Sequence, residues 1–198
     1  MGEIYGDVSR LDSYSLTEDS YGSIDPLITR SNYPETKRIG ENLCFSYNKL
    51  LGTKTYIARL FHTYGIGINL NDPRIFSILI KAVVTNSPII LHSLGLTERG
   101  FCYISNVIEG FFRILRYGEA GEAYNIGNEI GIKIKTLAER ISELYGIEFK
   151  YDLSQGNKES PFKILLPNCN KIRNLGWENK IQTLDGFKRT IQYYKEIQ

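Results

Sequence analysis

Tyr33 and Lys37 stand four residues apart in the run Tyr33-Pro34-Glu35-Thr36-Lys37. On a helix that spacing puts both side chains on one face. A free tyrosine loses its proton at about pH 10, too high for a base at neutral pH. A neighbouring ammonium favours the phenolate and lowers that value. A tyrosine tuned in this way can take a proton from an alcohol hydroxyl while a hydride leaves the same carbon. Taken alone the pair is weak evidence. The chain has 14 tyrosines, and about one Tyr-x-x-x-Lys is expected by chance, since such pairs are common on helix surfaces.

Other residue types narrow the chemistry. Cys44, Cys102 and Cys169 are odd in number, far apart and without a Cys-x-x-Cys spacing, so they read as reduced thiols of a cytoplasmic protein. His62 and His92 have no carboxylate spacing around them that would suit a metal, so none is expected. The net charge is +2, from 24 basic and 22 acidic side chains. That balance gives no push toward nucleic acid. No run of 18 apolar residues would form a membrane span, and Met1 to Arg10 carries Glu3 and Asp7 with no apolar segment, unlike a signal peptide. With 198 residues, 42% of them hydrophobic, the chain suits one domain or part of a larger one.

The elements that would position Tyr33 can be read from periodicity. Asp7 to Asp25 is rich in Ser, Asp, Gly and Tyr and reads as a loop. From Tyr33, apolar residues Ile39, Leu43, Cys44, Tyr47 and Leu50-Leu51 recur at helical steps, and Gly52 suits a left-handed helix end. Thr55 to Ala58 reads as a buried strand, broken at Tyr64-Gly65-Ile66-Gly67. Asp72 as N-cap and Pro73 as first residue predict a helix to Val84. Pro88 to Leu91 and Gly100 to Ile104 read as strands, with Ser105 or Asn106 capping a helix to Arg116. Glu122 to Ile126 predicts a strand, Thr136 to Tyr145 an amphipathic helix stopped by Gly146, Gln155 to Glu159 a polar loop, and Asp185 to Ile197 a closing helix. Strands alternating with helices argue an α/β architecture.

Six stretches, in order along nearly the whole chain, carry a resemblance. Glu3-Ile4-Tyr5-Gly6-Asp7 looks like the end of an S/T-x-E-V-Y-G-D strand, and Tyr33 to Lys37 like Y-x-x-x-K. Ala58 to Gly67 looks like R-x-F-N-x-Y-G-P-G, and Glu98 to Ile104 like R-x-F-x-Y-V. Gly121 to Gly127 looks like G-x-x-Y-N-I-G, and Leu175-Gly176-Trp177 like L-G-W. Together they resemble the extended short-chain dehydrogenase/reductases that act on nucleotide sugars as epimerases, dehydratases and decarboxylases. Leu70 to Ile75 is similar to the M-N-D-G-R-V of the UDP-glucuronate decarboxylases.

The resemblance implies the C-terminal part of a Rossmann-type NAD-binding domain, over residues 1–66, followed by a small α/β domain for the nucleotide sugar over 67–198. Residues 100–117 would pack back on the first part. It implies that Tyr33 takes the proton of the sugar 4-hydroxyl while NAD accepts the hydride, giving a 4-keto sugar. Lys37 would bond the nicotinamide ribose and tune Tyr33. Glu3 would supply the carboxylate of the second step, and His62 would stand between cofactor and substrate. Arg99 and Arg74 would meet the diphosphate of a UDP-sugar, for which guanidinium is well shaped; a surface cation is the plainer reading of Arg99. Asn125 and Gly127 are expected to shape a turn, and Trp177 and Phe187 to lie in the core. A homodimer through the Y-x-x-x-K helix is also implied.

Several positions depart from the pattern. Gly2 replaces an acidic residue of the dehydratases, His62 the Asn of R-x-F-N, Asn106 an Asp, and Leu165-Leu166-Pro167-Asn168 a run closer to R-x-P-D. Met1 stands where the family has a catalytic Ser or Thr, and the chain has no G-x-x-G-x-x-G turn for the cofactor pyrophosphate. Two readings therefore stay open beside the enzyme: a truncated, non-catalytic fragment that keeps nucleotide-sugar binding, and a plain interaction protein. Without the central sheet, the strand after Gly52 and the apolar face of the Tyr33 helix are expected to be exposed.

Overall fold

A computed structural model describes residues 2–8, 15–154, 156–157 and 164–197. Met1 and most of the expected polar loop at 155–159 lie outside the described residues, as do positions 9–14 of the first loop. The strands are β1 (Ser15–Leu16), β2 (Ile57–Leu60), β3 (Thr63–Tyr64), β4 (Ile89–Leu91) and β5 (Glu98–Arg99), then β6 (Cys102–Tyr103), β7 (Ala123–Ile126), β8 (Ile132–Lys133), β9 (Phe149–Tyr151) and β10 (Ile164–Pro167). The helices are α1 (Asn32–Leu51), α2 (Ile75–Val84), α3 (Ile104–Tyr117), α4 (Ile134–Tyr145), α5 (Asn170–Arg173) and α6 (Thr183–Glu196).

The architecture is α/β, with every strand pair parallel except β5 with β8. β2 and β7 run in register from Ile57 opposite Ala123 to Leu60 opposite Ile126. Over them lie α3 and α5, closing a core of Val107, Ile114, Tyr124, Ile126, Ile172 and Trp177. A second core gathers α2, α4 and α6 around β4 and β6, with Leu79, Ile80, Ile89, Phe101, Leu137 and Phe187 fully buried. Tyr64 ties α6 to it: its ring centroid lies 4.5 Å from that of Phe187, and its Oη donates to Thr183 O at 2.5 Å. Trp177 and Phe187 are thus core residues, as expected. A four-stranded sheet, β1-β10-β5-β8, carries Arg99.

α1 ends where periodicity put it. Gly52 takes φ +65, and its N–H bonds Asn48 O at 3.1 Å, a conformation that costs glycine little. Gly146 ends α4 in the same way. The apolar stripe of α1 is solvent-exposed: in the 20-residue helix Pro34 is buried, whereas Leu43 is 52% and Leu50 81% exposed.

Elsewhere the structure corrects the sequence reading. Gly2–Tyr5 is a 3-10 turn, not a strand end. Its neighbourhood is bonded locally, Gly6 N to Glu3 O and Gly22 N to Tyr5 O, since no sheet partner runs beside it among the described residues. The strand expected at 55–58 is displaced to 57–60, because pairing with β7 sets its register. α2 begins at Ile75: the Asp72 carboxylate accepts from Arg74 N at 2.9 Å and closes a turn before the helix rather than capping it. The strand expected over 100–104 is only Cys102–Tyr103, and α3 follows directly with Tyr103 as its N-cap. The Asn106 side chain does not cap that helix. It grips Ile181, accepting from its N–H at 3.1 Å and donating to its carbonyl at 2.9 Å. Asn125 lies inside β7, buried, not in a turn; it accepts from Tyr5 Oη at 2.5 Å and donates to Leu16 O at 2.8 Å.

Candidate active site

α1, the Gly2–Tyr5 turn, the β2–β3 connection, α2, β4 and β5 converge on a cavity of about 780 Å³. Glu3, Tyr33, His62, Arg74 and Arg99 all line it, with apolar walls from Phe76, Ile78, Ile90, Leu91 and Ile134. Five of the six residues singled out from the sequence therefore share one space. Lys37 does not line it. It stands one turn along α1, with Nζ 5.4 Å from the centroid of the Tyr33 ring.

Tyr33 is placed by the turn that opens α1. Ser31 Oγ donates to Asp25 O at 2.5 Å and fixes the approach. Pro34 is tolerated because the first turn of a helix leaves its N–H groups without intrahelical acceptors. Glu3 is placed by an arginine of the same helix: Arg38 donates from Nε to Ile4 O at 2.9 Å and from Nη2 to Gly22 O at 2.8 Å. This clamp binds the Glu3 turn to α1. The Glu3 carboxylate then meets Arg30, whose Nη2 lies 2.6 Å from Oε1.

His62 sits at φ +33, a region where Asn, Asp and His are the side chains most often accepted. Its carbonyl accepts from Cys102 N at 3.2 Å. Burial, reinforced by the Arg99 and Arg74 guanidiniums, pushes its pKa down to about 3, so the ring faces the cavity neutral. Arg99, on β5, is only 8% exposed and donates from Nη1 to Glu98 O at 2.8 Å, which removes the surface-cation reading. Arg74 caps α2 from the rim, paired to both Asp72 oxygens and stacked 4.7 Å over the Phe76 ring. The guanidinium pair holds the Asp72 carboxyl below its usual range. Arg30, Arg74 and Arg99 outnumber the two carboxylates beside them, Glu3 and the Asp72 paired with Arg74, so the space favours an anionic ligand.

Sequence reasoning missed Arg30, Arg38 and His92. His92 lines the cavity and its Nδ1 lies 3.2 Å from Asp152 O. All three lie outside the motif stretches, and no periodicity marks them. Behind the Glu3 turn lies a buried network of structural type. Arg59 pairs with Glu41 at 2.7 Å and donates to Tyr5 Oη at 3.1 Å and Glu18 O at 2.7 Å. Burial pushes the Tyr5 phenol up to about 12.

A family model described as "NAD dependent epimerase/dehydratase family" matches residues 2–127. The chain belongs to that family. UDP-glucuronic acid decarboxylase 6 of Arabidopsis thaliana is 32% identical over 185 residues, covering 93% of this chain and 52% of its own length. UDP-glucuronic acid decarboxylase 1 of Xenopus tropicalis is 27% identical over 195 residues, 98% of this chain and 45% of its own. The chain thus spans about half the length of the curated relatives it matches. Among solved structures, RMD of Pseudomonas aeruginosa with NADPH superposes with a TM-score of 0.84 at 18% identity, covering all of this chain and 65% of that one. A Tyr-to-Phe variant of UDP-glucuronic acid 4-epimerase of Bacillus cereus, solved with NAD and UDP-4-deoxy-4-fluoro-glucuronic acid, gives 0.81 at 24% identity, with coverage of 100% and 60%. These likenesses establish the fold as the one shared by such epimerases and dehydratases.

The family's cofactor can be tested against the residues present. Tyr33 lines the cavity and Lys37 lies over its ring, 5.4 Å from the centroid, two polar groups suited to the ribose and nicotinamide end of such a cofactor. The pyrophosphate end finds no cradle among the described residues: the glycine pair Gly65 and Gly67 is followed by a helix only at Ile75.

Proposed function

We propose that this chain supplies the substrate half of an NAD-dependent enzyme of the UDP-glucuronate decarboxylase type, working through a 4-keto sugar. The observation that carries the reading is the gathering of Tyr33, Glu3, His62, Arg74 and Arg99 around one cavity. The similarity to UDP-glucuronic acid decarboxylases supports the choice of substrate.

NAD, when bound, supplies a hydride acceptor for the sugar C4. Everything else falls to this chain. Tyr33 Oη takes the proton of the 4-hydroxyl, and the Lys37 ammonium over its ring stabilises the charge that develops there. Arg99 and Arg74 bind the diphosphate. The apolar wall of α2 and β4 excludes water. Glu3, which lines the same cavity as Tyr33, holds or passes a proton once the 4-keto group has activated the neighbouring carbons. Loss of the carboxylate as carbon dioxide leaves an enolate at C4–C5, which takes a proton at C5.

The division at residue 66 belongs to the same reading, and the return of 100–117 onto the first part is supported by α3, whose Val107 and Ile114 share a core with Ala58 and Leu60 of β2. A homodimer, supported by the exposed apolar face of α1, and a cytoplasmic location, supported by three free thiols, also belong to it. No described helix is long and apolar enough to cross a membrane. A calorimetric titration with UDP-glucuronate tests the reading: saturable micromolar binding is expected, and a folded chain that does not bind overturns it.

A further inference from the structure

We propose that Arg30 selects for a carboxylate on the sugar, and that this carboxylate takes the place of Glu3 at its guanidinium. The inference rests on the nucleotide-sugar reading above and adds the residue that reads the sugar itself.

Tyr33 marks where the reacting hydroxyl must lie. Arg30 precedes Tyr33 by three residues, on the 3-10 turn Thr29–Ser31 that runs into α1, and both line the cavity. Arg30 is therefore the cavity-lining guanidinium nearest Tyr33 in sequence, on the turn that leads into its helix. Arg74 and Arg99 come from other elements, α2 and β5, and two guanidiniums suffice for a diphosphate. That leaves Arg30 without a phosphate to bind.

Its state in the structure suits such a task. Arg30 donates from Nη2 to Glu3 Oε1 at 2.6 Å, and no other described group takes one of its remaining donors. A guanidinium carries five donors in a planar fork that matches a carboxylate. The Arg30 side chain is 75% exposed, and an ion pair so wet is weak. An incoming uronate can replace Glu3 in this pair at little cost. A neutral hexose brings no such group and leaves the pair closed. The exchange also frees the Glu3 carboxylate only when a carboxylated sugar is present, which couples recognition to availability of that group.

Calorimetric titration of the chain with UDP-glucuronate and with UDP-glucose tests this. The native chain is expected to prefer UDP-glucuronate about tenfold. Arg30→Gln should bring the two affinities together by weakening UDP-glucuronate alone, and Arg30→Lys should keep part of the preference. A preference that survives in Arg30→Gln, or an equal loss for both ligands, overturns the assignment while leaving the nucleotide-sugar site standing. Failure of the folded native chain to bind either ligand instead removes the nucleotide-sugar reading and this inference with it.

Discussion

The Lys37 ammonium lies 5.4 Å from the centroid of the Tyr33 ring, over its face, one helical turn further along α1. The cation thus addresses the ring from outside the cavity, and the phenol alone is presented to a ligand. A charge so placed acts through Tyr33 and not on the sugar. In an assay of UDP-glucuronate turnover with NAD, Lys37→Met is expected to lower kcat by about 10²-fold or more, while calorimetry shows UDP-glucuronate bound within twofold of the native affinity. Equal losses in both measurements would place Lys37 in the substrate site instead.

Arg59 and Glu41 form the most buried ion pair among those described, at 2.7 Å, with side chains 4% and 16% exposed. Removing one partner leaves a charge buried without its counterion. Arg59→Met is expected to cost about 3–5 kcal/mol in urea unfolding, and Arg59→Met with Glu41→Leu distinctly less. A cost below about 1 kcal/mol for the single change would contradict the account of this network.

His62 stays neutral in the fold down to about pH 3, against an ordinary value of 6.5. Between those limits the unfolded chain binds a proton that the folded chain refuses. Stability therefore rises with pH across that window and is lost on acidification. His62→Asn, which also accepts positive φ, should lose less stability between pH 7 and pH 4.5. The difference in Tm change is expected to be about 5–10 °C. Identical pH profiles would show that His62 is not held neutral.

The outer face of α1 and that of α3 leave Leu43, Leu50, Phe112 and Leu115 exposed, Phe112 at 68%. Apolar side chains left exposed along helix faces in this number favour association. Sedimentation should show concentration-dependent self-association of the native chain, reduced by the double change Leu43→Lys with Phe112→Lys. A monodisperse monomer with a sharp reversible melt would contradict this.

How far the sequence could be read follows from what fixes each element. α1 and α4 are announced by local signals, an apolar period and a glycine stop, and both end where those signals place them. The two-residue strands β5 and β8 carry no such signal; long-range pairing alone defines them. The start of α2 slipped because Asp72, a good cap, turned its carboxylate to Arg74 N instead. At the site, Tyr33, Glu3, His62, Arg74 and Arg99 were legible through motif stretches. Arg30 and Arg38 were not, because their roles arise only when the Glu3 turn is folded against α1.

The central claim is that Tyr33 takes the proton of a nucleotide-sugar hydroxyl. It is tested most directly by release of carbon dioxide from carboxyl-labelled UDP-glucuronate by the NAD-bound enzyme whose substrate half this chain supplies, comparing the unchanged enzyme with Tyr33→Phe. The account predicts release by the unchanged enzyme and a loss of at least about 10²-fold in the variant, with UDP-glucuronate binding unchanged. Native-like release by Tyr33→Phe would contradict it.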